Sequence, residues 1–307
     1  MKKVLLLAFT LLLVVSFCGV SSAEGKKFGA TYMTMNNPFF GAMNDAIKKA
    51  VEANGDTLIT LDPALDQVKQ ISQIEDMIAQ GVVAIFLNPV DWQGVAPALL
   101  ACQEAGVPII NVDAPVYDEE YVACIVASDN LSAGLICGED MLKRIKGGKV
   151  VILEHPTAKS GVDRILNFDK IISEHPEFTV VARQSSEGQL EIAMPVMENI
   201  IQANPDIAAV MCLNDPTALG AIAALRAADA IKGVLVYGVD GSPDAKKMIK
   251  EGFMTGTAAQ SPINIGVIAT EMAYKILNGE KVEKHVPVAV QLITAENVDE
   301  FGLDSWQ

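Results

Sequence analysis

Short apolar runs that stop abruptly on Asn, Asp or Gln, each followed by a stretch of helical spacing, recur along this chain. Phe28–Met33 leads to Asn36-Asn37, Val83–Leu87 stops at Asn88, and Pro108–Val112 stops at Asp113. Val210–Leu213 stops at Asn214-Asp215, and Val234–Val239 at Asp240. A run that is apolar at every residue suits a strand whose sheet is covered on both faces, as parallel sheets are. Between the runs, Met43, Ile47, Ala50 and Val51 recur at helical spacing and close on Asn54-Gly55. Val68, Ile71, Ile74, Met77 and Ile78 do the same and close on Gly81. This alternation predicts βαβ units. Roughly ten such strands exceed one ordinary sheet, and the rhythm restarts at Lys149. The predicted fold class is therefore α/β, with two similar Rossmann-like lobes built on parallel sheets. No Pro- or Ser-rich linker separates them, so the crossings are expected to be ordered.

Ahead of this region stands a processing signal. Lys2-Lys3 is a basic start, Val4–Val15 is almost unbroken apolar sequence, and Ser21-Ser22-Ala23 offers small residues for cleavage before Glu24. The apolar stretch is short for a membrane span. Cys18 would suit a lipid anchor, but Phe17 precedes it where a small residue is expected, which favours soluble export. The net charge is −15, and removal of Lys2 and Lys3 makes the mature chain more acidic still. Nucleic-acid binding needs clustered Lys and Arg and is excluded on this balance. Cys102, Cys124, Cys137 and Cys212 have apolar neighbours and read as small core residues. Their even number in an oxidising compartment leaves a disulfide open, with no pairing indicated.

Signals for catalysis are absent. No G-x-G-x-x-G or G-x-x-x-x-G-K-[ST] cradle and no G-x-S-x-G elbow occurs. His155, His175 and His285 lack metal-ligand spacing. Neither a metal nor a cofactor is expected. Ligands of open α/β sheets bind outside the carboxyl ends of the strands. The polar strand ends thus aim uncharged or acidic hydrogen-bonding groups at one crevice, which suits a neutral, hydroxyl-rich small molecule. Asn37 and Pro38 form a helix start. Phe39 and Phe40 in the following turn add rings of the kind that pack on a sugar's apolar face.

The segments Asn36–Phe40, Leu87-Asn88-Pro89, Asn111-Val112-Asp113, Ala127–Asn130, Asn214-Asp215, Gly238–Asp244 and Ala259–Pro262 stand in the order found in a known family. In them the chain resembles the periplasmic sugar-binding proteins of ABC transporters, the ribose-binding-like branch of the type I periplasmic binding protein fold. The resemblance implies a multi-strand hinge. It sets one lobe at residues 24–128 plus 261–289 and the other at 129–260 plus 290–307. It also implies sugar contacts from Asn37, Phe39, Phe40, Asn88, Asp113 and Ser128 in the first lobe, and from Arg164, Asn214, Asp240 and Gln260 in the second lobe and hinge. For Asn88 and Ser128 a turn or cap reading stands beside the functional one. The implied partners are a carbohydrate-like ligand and a membrane permease, with a chemotaxis receptor as a further candidate. The protein is expected to act as a periplasmic monomer. The chain departs from the family at Ala114, Gly188, Val239 and Met33, where a charged donor, two rings and a small polar residue would be usual. These departures widen the expected ligands from ribose to polyols, cyclitols and autoinducer-2-like furanones. A LacI-type regulator lacks its DNA-binding module here, and an exported sugar-modifying enzyme is the remote alternative.

Overall fold

The computed structural model describes residues 25–307, so the processing signal lies outside the described residues. The first sheet contains β1 (Lys27–Thr31), β2 (Thr57–Leu61), β3 (Ala84–Leu87), β4 (Ile109–Val112) and β5 (Cys124–Ser128). The second contains β6 (Gly148–Glu154), β7 (Phe178–Ser185), β8 (Ile207–Cys212), β9 (Leu235–Asp240) and β10 (Gly256–Ala259). Each sheet gains a short strand from the end of the chain: β11 (His285–Val288) pairs with β5, and β12 (Gln291–Thr294) pairs with β10. The sheet orders are β11-β5-β4-β3-β1-β2 and β12-β10-β9-β8-β6-β7. All pairings are parallel except that of β12, which runs antiparallel to β10. This antiparallel edge differs from the all-parallel expectation. β12 enters that sheet straight from β11 of the first sheet, after a step of two residues.

Period-two packing explains the continuous apolar runs. In the first sheet Phe28, Ala30, Phe86, Ile110, Val112 and Val126 face one layer, together with Met43 and Ile47 of α1 (Pro38–Ala53) and Ile265 and Ala269 of α9 (Pro262–Leu277). Their sequence neighbours Ile85, Leu87, Ile109 and Ile125 face the other, against α2 (Gln67–Ala79) and α3 (Ala96–Ala105). The four cysteines named above are free and buried, and burial raises each thiol, that of Cys102 to about 12. They serve as core residues.

The chain passes between the sheets at three places. β5 leads into α4 (Asn130–Arg144), which packs on α5 (Lys159–Ser173) and β10 of the second sheet. β10 leads into α9, which packs on α1, and β11 leads into β12. The first crossing brings α4 and α5 unusually close. A Cβ on Gly134 would lie 1.8 Å from the carbonyl oxygen of Arg164. No side chain fits there, so Gly134 sets where α5 carries Arg164. Gly134→Ala should therefore lower stability by at least the ~1–3 kcal/mol typical of overpacking. Gly41→Ala, at a helical position where a Cβ meets nothing within 4 Å, should raise it by up to ~1 kcal/mol. Denaturant unfolding of the two variants checks the contrast, and equal midpoints would contradict it.

Candidate ligand-binding site

The C-terminal ends of the strands in both sheets converge on a narrow cavity. Asn37, Phe39, Phe40 and Asp113 line it from the first sheet's side, and Arg164, Asn214, Asp240 and Gln260 from the second. Two residues singled out in the sequence are elsewhere. Asn88 stands behind the wall: its amide accepts from Met33 N at 3.1 Å and donates to Val112 O at 3.3 Å and Asp113 Oδ2 at 3.1 Å. Asn88 thus orients Asp113 and has no face on the cavity. Ser128 lines a separate cavity beside the hinge, with Asp129, Asn130 and His285. His155, Ser160 and Gln189 also line the main cavity and carry no assignment from the sequence. Ser160 stands one helical turn before Arg164, a spacing that places both on one face of α5. His155 directly follows β6 and was open to notice; Gln189, in a loop, had no signal.

Several strand-end residues owe their place to backbone needs. Asn37 caps α1 by accepting from Phe39 N at 3.0 Å, with Pro38 in the first helical position. Asn214 caps α7 (Asp215–Ala227) by accepting from Thr217 N at 3.0 Å, and its NH2 donates to Gly188 O at 3.0 Å. These bonds leave each amide spare donor capacity toward the cavity. Phe39 and Phe40 meet edge to face at 5.6 Å, and Phe40 stacks on the buried Tyr32 at 5.6 Å.

The carboxylates are held differently. Asp113 has φ +63, and Ala114 N donates to Val112 O at 2.8 Å, closing a strained three-residue turn around it. Asp240 has φ +142, another conformation that L-residues rarely adopt. Strain of this kind gathers at functional sites. Asp240 Oδ1 accepts from Gln260 Nε2 at 2.7 Å. The other oxygen of each group has no partner: Asp113 Oδ1, Asp240 Oδ2 and Gln260 Oε1 are all buried and unpaired. Arg164, 3% exposed, donates from Nε to Asn130 Oδ1 at 2.8 Å and from Nη1 to Leu213 O at 2.9 Å. Its Nη2 lies 3.9 Å from Asp113 Oδ1. Two of the five guanidinium N–H groups are thus engaged, and the remainder can donate to a guest.

Burial raises Asp113 to about 6, opposed by the Arg164 charge and the Asn88 hydrogen bond. Burial also lifts Asp240 well above the carboxylate range, with the charge of Asp215 adding to it. Asp215 is raised by burial against its bonds from Thr257 Oγ1 and Ser242 N, both 2.7 Å. His155 is lowered by burial to about 4 and is neutral at pH 7. Across the cavity rim, Asn36 Nδ2 donates to Gln189 Oε1 at 2.8 Å and Glu191 Oε1 at 2.9 Å, so the two sides are in direct contact.

Two α/β sheets, three crossings and a polar cavity at the strand ends define a bilobal solute-binding protein. Residues 28–281 match the periplasmic binding protein domain, and the chain belongs to that family, in its ribose-binding-like, type I branch. It is 36% identical over 278 residues to the ribose import binding protein of Bacillus subtilis, covering 89% of this chain and 90% of that one. It is 28% identical over 282 residues to the xylitol-binding protein of Mycolicibacterium smegmatis, covering 91% and 80%. An ABC transporter solute binding protein from Bacillus halodurans, solved with bound myo-inositol, superposes with a TM-score of 0.84 at 30% identity, covering 92% of this chain and 99% of that one.

The buried Asp113 charge makes a signed prediction. A carboxyl raised from 3.8 to about 6 costs the folded, ligand-free protein roughly 3 kcal/mol at pH 7. Because the folded state binds the proton more tightly, this cost is present above about pH 6 and is relieved as pH falls toward 4. Asp113→Asn should therefore raise the melting temperature of the ligand-free protein by several degrees at pH 7, and the gain should fade near pH 4. A lower melting temperature at pH 7 would contradict this.

Proposed function

We propose that this chain is an exported solute-binding protein that captures a monosaccharide-like ligand between its lobes and delivers it to an ABC transporter permease. The observation that carries the reading is the trio of buried, unpaired acceptor oxygens on Asp113, Asp240 and Gln260 beside the free N–H groups of Arg164. Buried acceptors need donors, and a sugar supplies hydroxyls that donate to carboxylates and accept from a guanidinium at once. Phe39 and Phe40 offer apolar ring surface to the C–H face of the same ligand. The lobes, taken as residues 24–128 plus 261–289 and 129–260 plus 290–307, close over the ligand by hinge motion. Asn36, Gln189 and Glu191 tie the rim of the closed form. In this reading the protein is a periplasmic monomer, cleaved before Glu24, and binds without turning its ligand over. His155, the cavity's imidazole, has Thr157 Oγ1 at 3.5 Å as its partner and no activated nucleophile beside it. A chemotaxis receptor is a second partner that the closed form would suit.

A polyol or cyclitol is the second reading, favoured by the wall around Gly188. Gly188 has φ +68, and a Cβ there would lie 3.0 Å from Asn214 Nδ2, so no ring stands at that position. Ala114 removes a cation next to Asp113 and is itself fully buried. The kinship to proteins named for xylitol and solved with myo-inositol supports the same direction.

A thermal-shift series with ribose, allose, xylitol, myo-inositol and autoinducer-2 tests the proposal. A cognate ligand at ~100 times its Kd adds about 2.7 kcal/mol of stability, which reads as a rise of several degrees. Gln260→Ala should remove the rise. Absence of any shift across the series would refute carbohydrate capture.

A further inference from the structure

The last residues of the chain join both lobes. Val298 is buried in the core of the second lobe, with Phe301 and Leu303 packed on it, whereas Trp306 packs on the core of the first. The chain thus passes from one core to the other within three residues, in addition to its three inter-sheet crossings. A fully buried lysine fixes the path. Lys246 Nζ donates to Gly302 O at 2.6 Å and to Ser305 O at 2.5 Å. With the Gln307 amide turned to the orientation that satisfies both of its ends, its oxygen accepts a third bond from Lys246 Nζ at 2.6 Å and its NH2 donates to Gly241 O at 3.1 Å. All three ammonium donors are then engaged on the tail. Ser261 Oγ, at the second crossing, donates to Gln307 O at 2.6 Å. So anchored, the tail sets the indole of Trp306 edge to face on Phe39, with centroids 5.9 Å apart and planes at 77°.

We infer that Trp306 is a positioning residue for ligand binding: it backs the ring of Phe39 and holds it against the cavity, while Gln307 braces the turn that follows Asp240. This rests on the proposed role of Phe39 as a ligand contact. Phe39 is 1% exposed and is flanked by Phe40 on one side and Trp306 on another. Without the indole, the Phe39 ring gains room to swing away from a ligand. An aromatic pair contributes about 0.5–1.5 kcal/mol beyond its buried area, up to about a tenfold change in a binding or opening constant.

The test compares Trp306→Ala and Trp306→Phe with the wild-type protein. Hydrogen exchange of the ligand-free protein is read at residues 39–47 of α1 and at residues 215–227 of α7. Trp306→Ala should speed exchange in α1 by up to about tenfold and leave α7 unchanged, and Trp306→Phe should restore the wild-type rate. Unchanged α1 exchange, or equal acceleration of both helices, would overturn the inference. Affinity for whichever of ribose, xylitol or myo-inositol binds should fall similarly in Trp306→Ala and recover in Trp306→Phe; equal affinities in all three proteins would overturn it. If none of the three binds the wild-type protein, carbohydrate capture fails, and the exchange measurement alone decides the role of Trp306. Should Trp306→Ala not fold, Trp92→Phe decides, because it leaves Trp306 as the single tryptophan. Its fluorescence should then be shielded from acrylamide, and quenching as strong as that of free indole would overturn the inference.

Discussion

A single guanidinium, that of Arg164, stands among three buried carboxylates, Asp113, Asp215 and Asp240, and the structure between the lobes is arranged around that imbalance. Its position is fixed from below by the close approach of α4 to α5 at Gly134, and at its head by Asn130 and the Leu213 carbonyl. One cation cannot neutralise three anions. Asp215 is compensated by neutral donors from Thr257 and Ser242. Asp113 and Asp240 are each left with one oxygen unpaired. Removing one partner from a buried charged pair is costly, so loss of the Arg164 charge would leave these carboxylates without a counter-ion among them.

The two unpaired carboxylates also share backbone strain, with φ of +63 at Asp113 and +142 at Asp240. Each is held by an amide, Asn88 for the first and Gln260 for the second. The same device thus recurs on the two sides of the cavity: a strained acidic residue, one oxygen steadied by a neutral amide and the other held open. In the proposed function a hydroxyl-bearing guest would complete both halves at once and so couple lobe closure to ligand chemistry.

Much of this was legible in the sequence, because buried parallel strands and capped helices obey local rules. The run from Phe28, the cap at Asn37, and the stop signals at Asn54-Gly55 and Gly81 appear where periodicity put them. The ambiguity lay in what a polar strand end does. Asn111 stands one residue before the end of β4, yet its amide is spent on Leu87 O, Ala114 O and Val116 N. A residue that ties backbone and one that meets a ligand have the same composition signature. β11 and β12 escaped notice because they are short, one contains Pro287, and their pairing is long-range. His155 directly follows β6, so its place at a strand end is legible, but a solitary histidine carries no role in the sequence; the structure puts it on the cavity. Trp306 had no local pattern at all, since its partner Phe39 lies at the other end of the chain.

The central claim is that Asp113 and Asp240 are unpaired acceptors awaiting hydroxyl donors. Donation to a carboxylate favours its charged form, so ligand binding should lower the elevated pKa of Asp113 and drive off a proton. Calorimetric titration of the best-stabilising sugar at pH 6, in buffers of different ionisation enthalpy, measures this directly. The account predicts net proton release on binding; no proton exchange, or net uptake, would contradict it.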